Sequence, residues 1–239
     1  MKRCFRAVPV FVCTICLSFL GCVAPKESPV VQTDSSAAPA LEKSSADSER
    51  PSKDLPAVLT LNGKELRGWQ ITDFGGHGDV TVQNGEIKIE RGAELTGINW
   101  TNADVLPKTN YEIELDAMKL DGYDFFCGLT IPYSNSFCTF VVGGWGGGIV
   151  GISNINGADA SENDTTRNLY FEKNRWFHIR VRVTPEKIMA WIDGDNVVDV
   201  EILGRSISMR GGEIESSIPL GVATYQTTAK IKNIRMKKF

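Results

Sequence analysis

From Asp79 to Met236 the apolar residues recur at every second position, in one short segment after another, with turn residues between the segments. A period of two gives an extended strand one side-chain set per face, whereas a helix needs a period of 3.6. No segment sustains the helical period. The chain must therefore bury its apolar residues as sheets, and sheets with one polar face stack in pairs. Asp79–Gln83 and Glu86–Glu90 alternate around Asn84-Gly85, a pair that accepts the left-handed backbone of a tight hairpin. Along Tyr111–Met118 one face carries Tyr111, Ile113, Leu115 and Ala117. The other carries Glu112, Glu114 and Asp116, which read as a solvent face.

Phe125–Ile131 and Phe137–Val142 are apolar on both faces and belong at the centre of a covered sheet. Trp176–Thr184 and Lys187–Asp193 form a hairpin turning at Pro185-Glu186. A two-residue turn there sets Arg182 against Met189, Arg180 against Trp191 and His178 against Asp193. Asn196–Ile202, Ile218–Thr224 and Ala229–Met236 complete the set. Ten or more short strands predict an all-β sandwich or jelly roll over residues 55–239.

The N-terminus has a different character. Lys2, Arg3 and Arg6 precede an apolar run from Ala7 to Leu20, and Gly21-Cys22 closes it. As a helix the run spans roughly 21 Å, short of the ~30 Å hydrocarbon core of a bilayer. It reads as a signal peptide, residues 1–21, cleaved before a lipid-modified Cys22. Phe19 stands where Leu is commoner in such signals. Residues 22–54 hold no aromatic residue and no glycine, and are rich in Ser, Ala and Pro. Such a segment cannot offset the entropy of ordering it and is expected to be a disordered tether, with ends roughly 30 Å apart. Val23, not Asp, follows the cysteine, which favours the outer membrane of a two-membrane bacterium. Loss of Lys2, Arg3 and Arg6 takes the formal net charge from −3 to −6. An acidic surface of this kind argues against nucleic-acid binding and leaves the lipid as the contact with the membrane.

Only Cys127 and Cys138 remain in the exported domain, where a disulfide is permitted. A four-residue hairpin loop would face them directly, and a five-residue loop would point them to opposite faces. A disulfide and two buried free thiols both stay open.

Four groups could carry chemistry. Arg180, Trp191 and His178 share the outward face of the Pro185-Glu186 hairpin. Trp191 is either a sugar-stacking platform or a ring covered by arginine through a cation–π contact. In Val142-Gly-Gly-Trp-Gly-Gly-Gly148 the glycines permit sharp bends and make Trp145 a candidate exposed ring, the other reading being a core cap. No Lys-Ser/Thr follows, so this is not a phosphate loop. In the loop 157–166, Asp159, Glu162 and Asp164 could hold calcium through oxygen ligands, or Glu162 and Asp164 could act as acid and base. Lastly, Glu114-x-Asp116 resembles the start of the Glu-x-Asp-x-x-Glu strand of retaining jelly-roll glycanases, but Lys119 stands where the acid belongs.

Leu61-Asn-Gly-Lys-Glu-Leu-Arg-Gly-Trp69 resembles the opening of the 3-keto-disaccharide hydrolase family. Arg175-Trp176, Ala190-Trp-Ile-Asp-Gly194 and Lys232-Asn-Ile-Arg235 are similar to its central and closing motifs. The resemblance covers residues 57–239. It implies a concanavalin A-like jelly roll, an exported or lipid-anchored setting and a carbohydrate-related role. The chain departs at Thr139-Phe-Val-Val-Gly-Gly144, where members often carry a polar Glu-x-Gln strand. Two functions are expected from these features. One is a glycoside hydrolase or lyase of 3-keto-disaccharide type, using Glu162 or Asp164 with Trp145 and Trp191 as platforms. The other is a non-catalytic glycan-binding or surface-interaction module using the same rings.

Overall fold

A computed structural model describes Leu66 and residues 68–239. The leader, Cys22, the tether 22–54 and the domain start at 55 lie outside the described residues. Among the described residues no helix is long and apolar enough to cross a membrane.

The strands in chain order are β1 (Trp69–Ile71), β2 (Val80–Gln83), β3 (Glu86–Ile89), β4 (Leu95–Trp100), β5 (Tyr111–Gly122), β6 (Cys127–Tyr133) and β7 (Ser136–Gly144). They continue with β8 (Ile149–Ser153), β9 (Arg167–Asn168), β10 (Trp176–Val183), β11 (Lys187–Ile192), β12 (Asp195–Glu201), β13 (Gly221–Tyr225) and β14 (Thr227–Lys238). The first sheet has the order β1-β4-β13-β6-β7-β8-β9, and the second β12-β11-β10-β5-β14-β3-β2. Neighbouring strands are antiparallel throughout. The inner faces meet in one apolar core that includes Ile98, Leu129, Phe140 and Ile152 from the first sheet and Ile113, Leu115, Ile179 and Ile231 from the second. This is the expected two-sheet sandwich of jelly-roll type.

Local expectations hold where neighbours in sequence set the geometry. Asn84 and Gly85 both take positive φ, 53° and 78°, and join β2 to β3. Arg180 pairs with Trp191 and Arg182 with Met189, the register that a two-residue turn dictates. β6 and β7 are buried on both faces at the middle of their sheet.

Two expectations fail. The β6–β7 hairpin turns at Ser134-Asn135, tighter than either loop considered. Cys127 therefore pairs with Val142 and Cys138 with Ile131. The cysteines share the inner face but stand four positions apart, about 13 Å along a strand, so no disulfide joins them. Both are buried free thiols. The face of Glu112, Glu114 and Asp116 is also not simply solvated, because β5 is central, flanked by β10 and β14. Glu112 lies directly between Arg182 and Lys237. Its carboxylate is 2% exposed and meets Arg182 Nη2 at 2.8 Å, Lys237 Nζ at 3.1 Å and Arg180 Nη1 at 3.3 Å. Burial pushes the Glu112 carboxyl up, but the Lys237 and Arg182 hydrogen bonds and charges outweigh it and hold the group below the usual glutamate range.

Candidate functional site

The outer face of the first sheet carries small and polar side chains. Phe140, Val142 and Ile152 point inward, so the alternate positions Thr139, Val141 and Ser153 point out. Above this face lies a cleft of about 410 Å³. Leu95, Phe125 and Tyr225 complete its floor, with the Phe125 and Tyr225 rings 5.9 Å apart. Trp145 stands at one side and the segment Arg210–Ile214 at another.

The wall carrying Trp145 is made by the glycine-rich turn between β7 and β8. Gly143 takes φ +82° where the β7–β8 register slips, and a side chain there would press on the Phe126 ring. Trp145 itself sits at φ +46°, a conformation that costs a bulky residue about 1–2 kcal/mol. Asp124 holds it there. Its Oδ1 accepts from the Phe125 and Trp145 amides at 2.8 and 3.2 Å, and its Oδ2 from the Gly146 amide at 3.2 Å. Trp145 is left 39% exposed. A strained, tethered and exposed tryptophan is a feature to which function can be attached.

The opposite wall is tied to the floor by buried hydroxyls. Ser217 Oγ lies 2.6 Å from Thr130 Oγ1, which lies 3.1 Å from Thr139 Oγ1. Upstream, Ser206 and Ser208 bond with the backbone of Asn156 and Asn154, so that this segment runs beside the chain as it leaves β8. It delivers Arg210, whose Nη1 donates to Asp159 Oδ2 at 2.6 Å and whose guanidinium carbon lies 5.5 Å from the Trp145 ring centre. Glu94 and Glu213 also line the cleft, and neither carboxylate has a hydrogen-bond or ion-pair partner among the described residues. Apolar rings, one cation and two free carboxylates in a concave site suit a ligand with flat apolar faces and many hydroxyls.

The structure separates the residues that the sequence grouped. Trp145 lines the cleft. Asp159 serves it indirectly, by orienting Arg210. Asp164 is paired with Arg205 at 2.8 Å, and that contact holds its carboxyl below the usual range. Glu162 is exposed and lines no part of the cleft. With Asp159 and Asp164 turned to different arginines, Asp159, Glu162 and Asp164 do not converge as a calcium cage. Among the described residues no group of three or more His, Cys, Asp or Glu is placed to hold a metal ion.

Trp191, Arg180 and His178 belong to the outer face of the other sheet, with the core between them and Trp145. The Arg180 guanidinium covers the Trp191 ring at 4.1 Å, and His178 Nδ1 meets Asp116 Oδ1 at 2.9 Å. These contacts satisfy one another, so Trp191 is a packed ring and not a platform in the Trp145 cleft. Sequence reasoning missed Glu94, Asp124, Phe125, Arg210, Glu213 and Tyr225. The one available signal was Arg210-Gly-Gly-Glu213, a glycine-flanked charged pair between strands.

The family model of the 3-keto-alpha-glucoside-1,2-lyase-like domain matches residues 56–237, and the chain belongs to this carbohydrate-active family. No curated protein matches it. Among solved structures the chain is similar to the carbohydrate-binding module CBM66 from Bacillus subtilis, with 14% identity and a TM-score of 0.48 over 72% of this chain and 96% of that one. It is similar to a putative glycosyl hydrolase from Parabacteroides distasonis, at 13% identity and a TM-score of 0.47 over 76% and 92% of the two chains. It is also similar to domain 4 of AbnA, a GH43 extracellular arabinanase from Geobacillus stearothermophilus in complex with arabinotriose, at 12% identity and a TM-score of 0.46 over 71% and 82%.

Proposed function

We propose that this member of the 3-keto-alpha-glucoside-1,2-lyase-like family binds a short saccharide against Trp145 and cleaves a 3-keto-glucoside in the same cleft. The observation that carries this reading is the pair of carboxylates, Glu94 and Glu213, unpartnered among the described residues and lining a cleft with an exposed tryptophan and Arg210. The family's name gives the reaction type. A ketone at C3 acidifies the C2–H bond. A base takes that proton, the electron pair forms the C1–C2 double bond, the C1–O bond breaks, and an acid protonates the departing oxygen. Among the described residues lining the cleft, Glu213 and Glu94 carry the carboxylates not already bonded to the protein, one to take the proton and one to deliver the other, while the Asp124 carboxylate is engaged by backbone amides. Trp145 offers a ring face for the sugar, and Arg210 offers donors to its oxygens. Glu162 and Asp164, outside the cleft, are left without this role.

Glu213→Gln and Glu94→Gln should each lower turnover of a 3-keto-glucoside by about 10²–10⁴-fold while saccharide binding, read by calorimetry, persists. Full turnover in either variant would remove that residue from the mechanism. If the unaltered protein binds saccharide and cleaves no 3-keto-glucoside, the non-catalytic glycan-binding reading replaces the enzyme.

We further propose that Cys22 is lipidated and that the tether presents the domain at the cell envelope. The leader ending in Gly21-Cys22 supports this reading. Labelled palmitate should enter the full-length protein and not its Cys22→Ala variant, and equal labelling of both would refute it.

A further inference from the structure

Behind Trp145 lies a second hollow, of about 600 Å³, lined by Trp145, Gly147, Asn168, Tyr170 and Lys119. Lys119 comes from β5 of the second sheet and is only 6% exposed. Its Nζ lies against Gly147, and a side chain at that glycine would approach it to 3.1 Å. Among the described residues its one hydrogen bond is to the Asp124 carbonyl oxygen, at 3.4 Å. The nearby carboxylates are committed elsewhere. Asp121 pairs with Lys173 at 2.7 Å, and the Asp124 carboxylate accepts from three backbone amides. Burial pulls the Lys119 ammonium below the usual lysine range. Lys173 acts in the same direction, against the pull of Asp124 and Asp121.

An ammonium on a buried side chain, with no carboxylate bonded to it, is unfavourable unless a ligand adds negative charge beside it. Among the described residues no acidic side chain lines this hollow. The glycine amides cannot supply an anion nest either, because Gly146 donates to Asp124 and both Gly147 and Gly148 donate to the Gly144 carbonyl oxygen. The hollow thus offers one positive charge, which matches a monoanionic carboxylate better than a phosphate dianion. Its rings are those a sugar needs: Trp145, shared with the first cleft, and Tyr170, 88% exposed.

We propose that the second hollow is a subsite for a carboxylate-bearing sugar, a uronate, with Lys119 as its counter-ion. This goes beyond the cleavage reaction and does not depend on it, since the test reads binding alone. Methyl glucuronide should bind the unaltered protein at least tenfold more tightly than its uncharged methyl ester, a difference equivalent to about 1.4 kcal/mol. Lys119→Met should remove that preference and leave the affinity for the ester unchanged. Arg210→Ala, which removes the cation of the first cleft, should leave the preference in place. Equal affinity of the unaltered protein for acid and ester would overturn the proposal. So would a preference that survives Lys119→Met or disappears with Arg210→Ala. If Lys119→Met does not fold, the acid-against-ester comparison and the Arg210→Ala variant still decide it.

Discussion

Asp124 lines the proposed saccharide site and holds the Trp145 turn, so its removal tests how that ring is positioned. Its carboxylate accepts the Trp145 and Gly146 amides, each at 3.2 Å, and the Phe125 amide at 2.8 Å. A hydrogen bond to a charged acceptor contributes about 1.5–3 kcal/mol, and the two long ones to the turn belong at the lower end, about 3 kcal/mol together. Against them stands the left-handed backbone of Trp145, unfavourable by about 1–2 kcal/mol. With Asp124 present the turn is held by a net 1–2 kcal/mol or so, and nearly every molecule presents the ring. In Asp124→Ala the balance reverses by a similar amount, and the competent fraction falls to about a tenth. The apparent saccharide Kd should then rise about tenfold, read by calorimetry or by Trp fluorescence. The maximal rate at saturating substrate should stay near that of the unaltered protein, because saturation selects the competent form. In a Trp145→Ala background Asp124→Ala should weaken binding no further. A folded Asp124→Ala protein that binds as tightly as the parent would refute the positioning role. Additive losses in the double variant would refute it too.

Glu112→Gln should lower stability by about 2–3 kcal/mol at neutral pH in urea unfolding, below the 3–5 kcal/mol typical of a broken buried pair because its partners are 31–51% exposed and keep water. Since the Glu112 carboxyl titrates lower when folded, its contribution is present above the unfolded value and lost as pH falls through the folded one. Parent and variant should therefore converge in acid, and a gap independent of pH would contradict the ion cluster. Cys127 and Cys138, whose thiols are pushed up to about 12 by burial, should resist a thiol reagent in the native domain and both react in unreduced denaturant. Failure to react in unreduced denaturant would reinstate a disulfide. Gly147→Ala places a side chain at φ +105° and against Lys119 Nζ, and should destabilise the domain by about 1–2 kcal/mol or more in a thermal melt. An unchanged melt would show that the turn can relax.

Wherever an interaction runs between near neighbours, the residues themselves carried the answer. Asn84-Gly85 forms its hairpin because both positions must take positive φ. The Arg180–Trp191 pair follows from a two-residue turn, and the alternation of Tyr111, Ile113 and Leu115 fixes which face of β5 is buried. The motifs at Trp69, Trp176 and Trp191 belong to that same framework, which is why they read as a family and not as a site. Tertiary structure decided everything that needed to know which distant strands are neighbours. Glu112 becomes a buried ion because β5 lies between β10 and β14. The two cysteines miss each other through a turn tighter than expected. Trp145 and Trp191, both candidate stacking rings in the sequence, part company because the β7–β8 turn and β11 belong to different sheets, one ring left open in a cleft and the other covered by arginine. Arg210 reaches Trp145 because its segment runs beside Asn154 and Asn156 and its guanidinium pairs with Asp159, 51 positions away in the chain. Side-chain period and turn stereochemistry act over a few residues and are written locally. Sheet order depends on the packing of the whole core, and the site stands on sheet order.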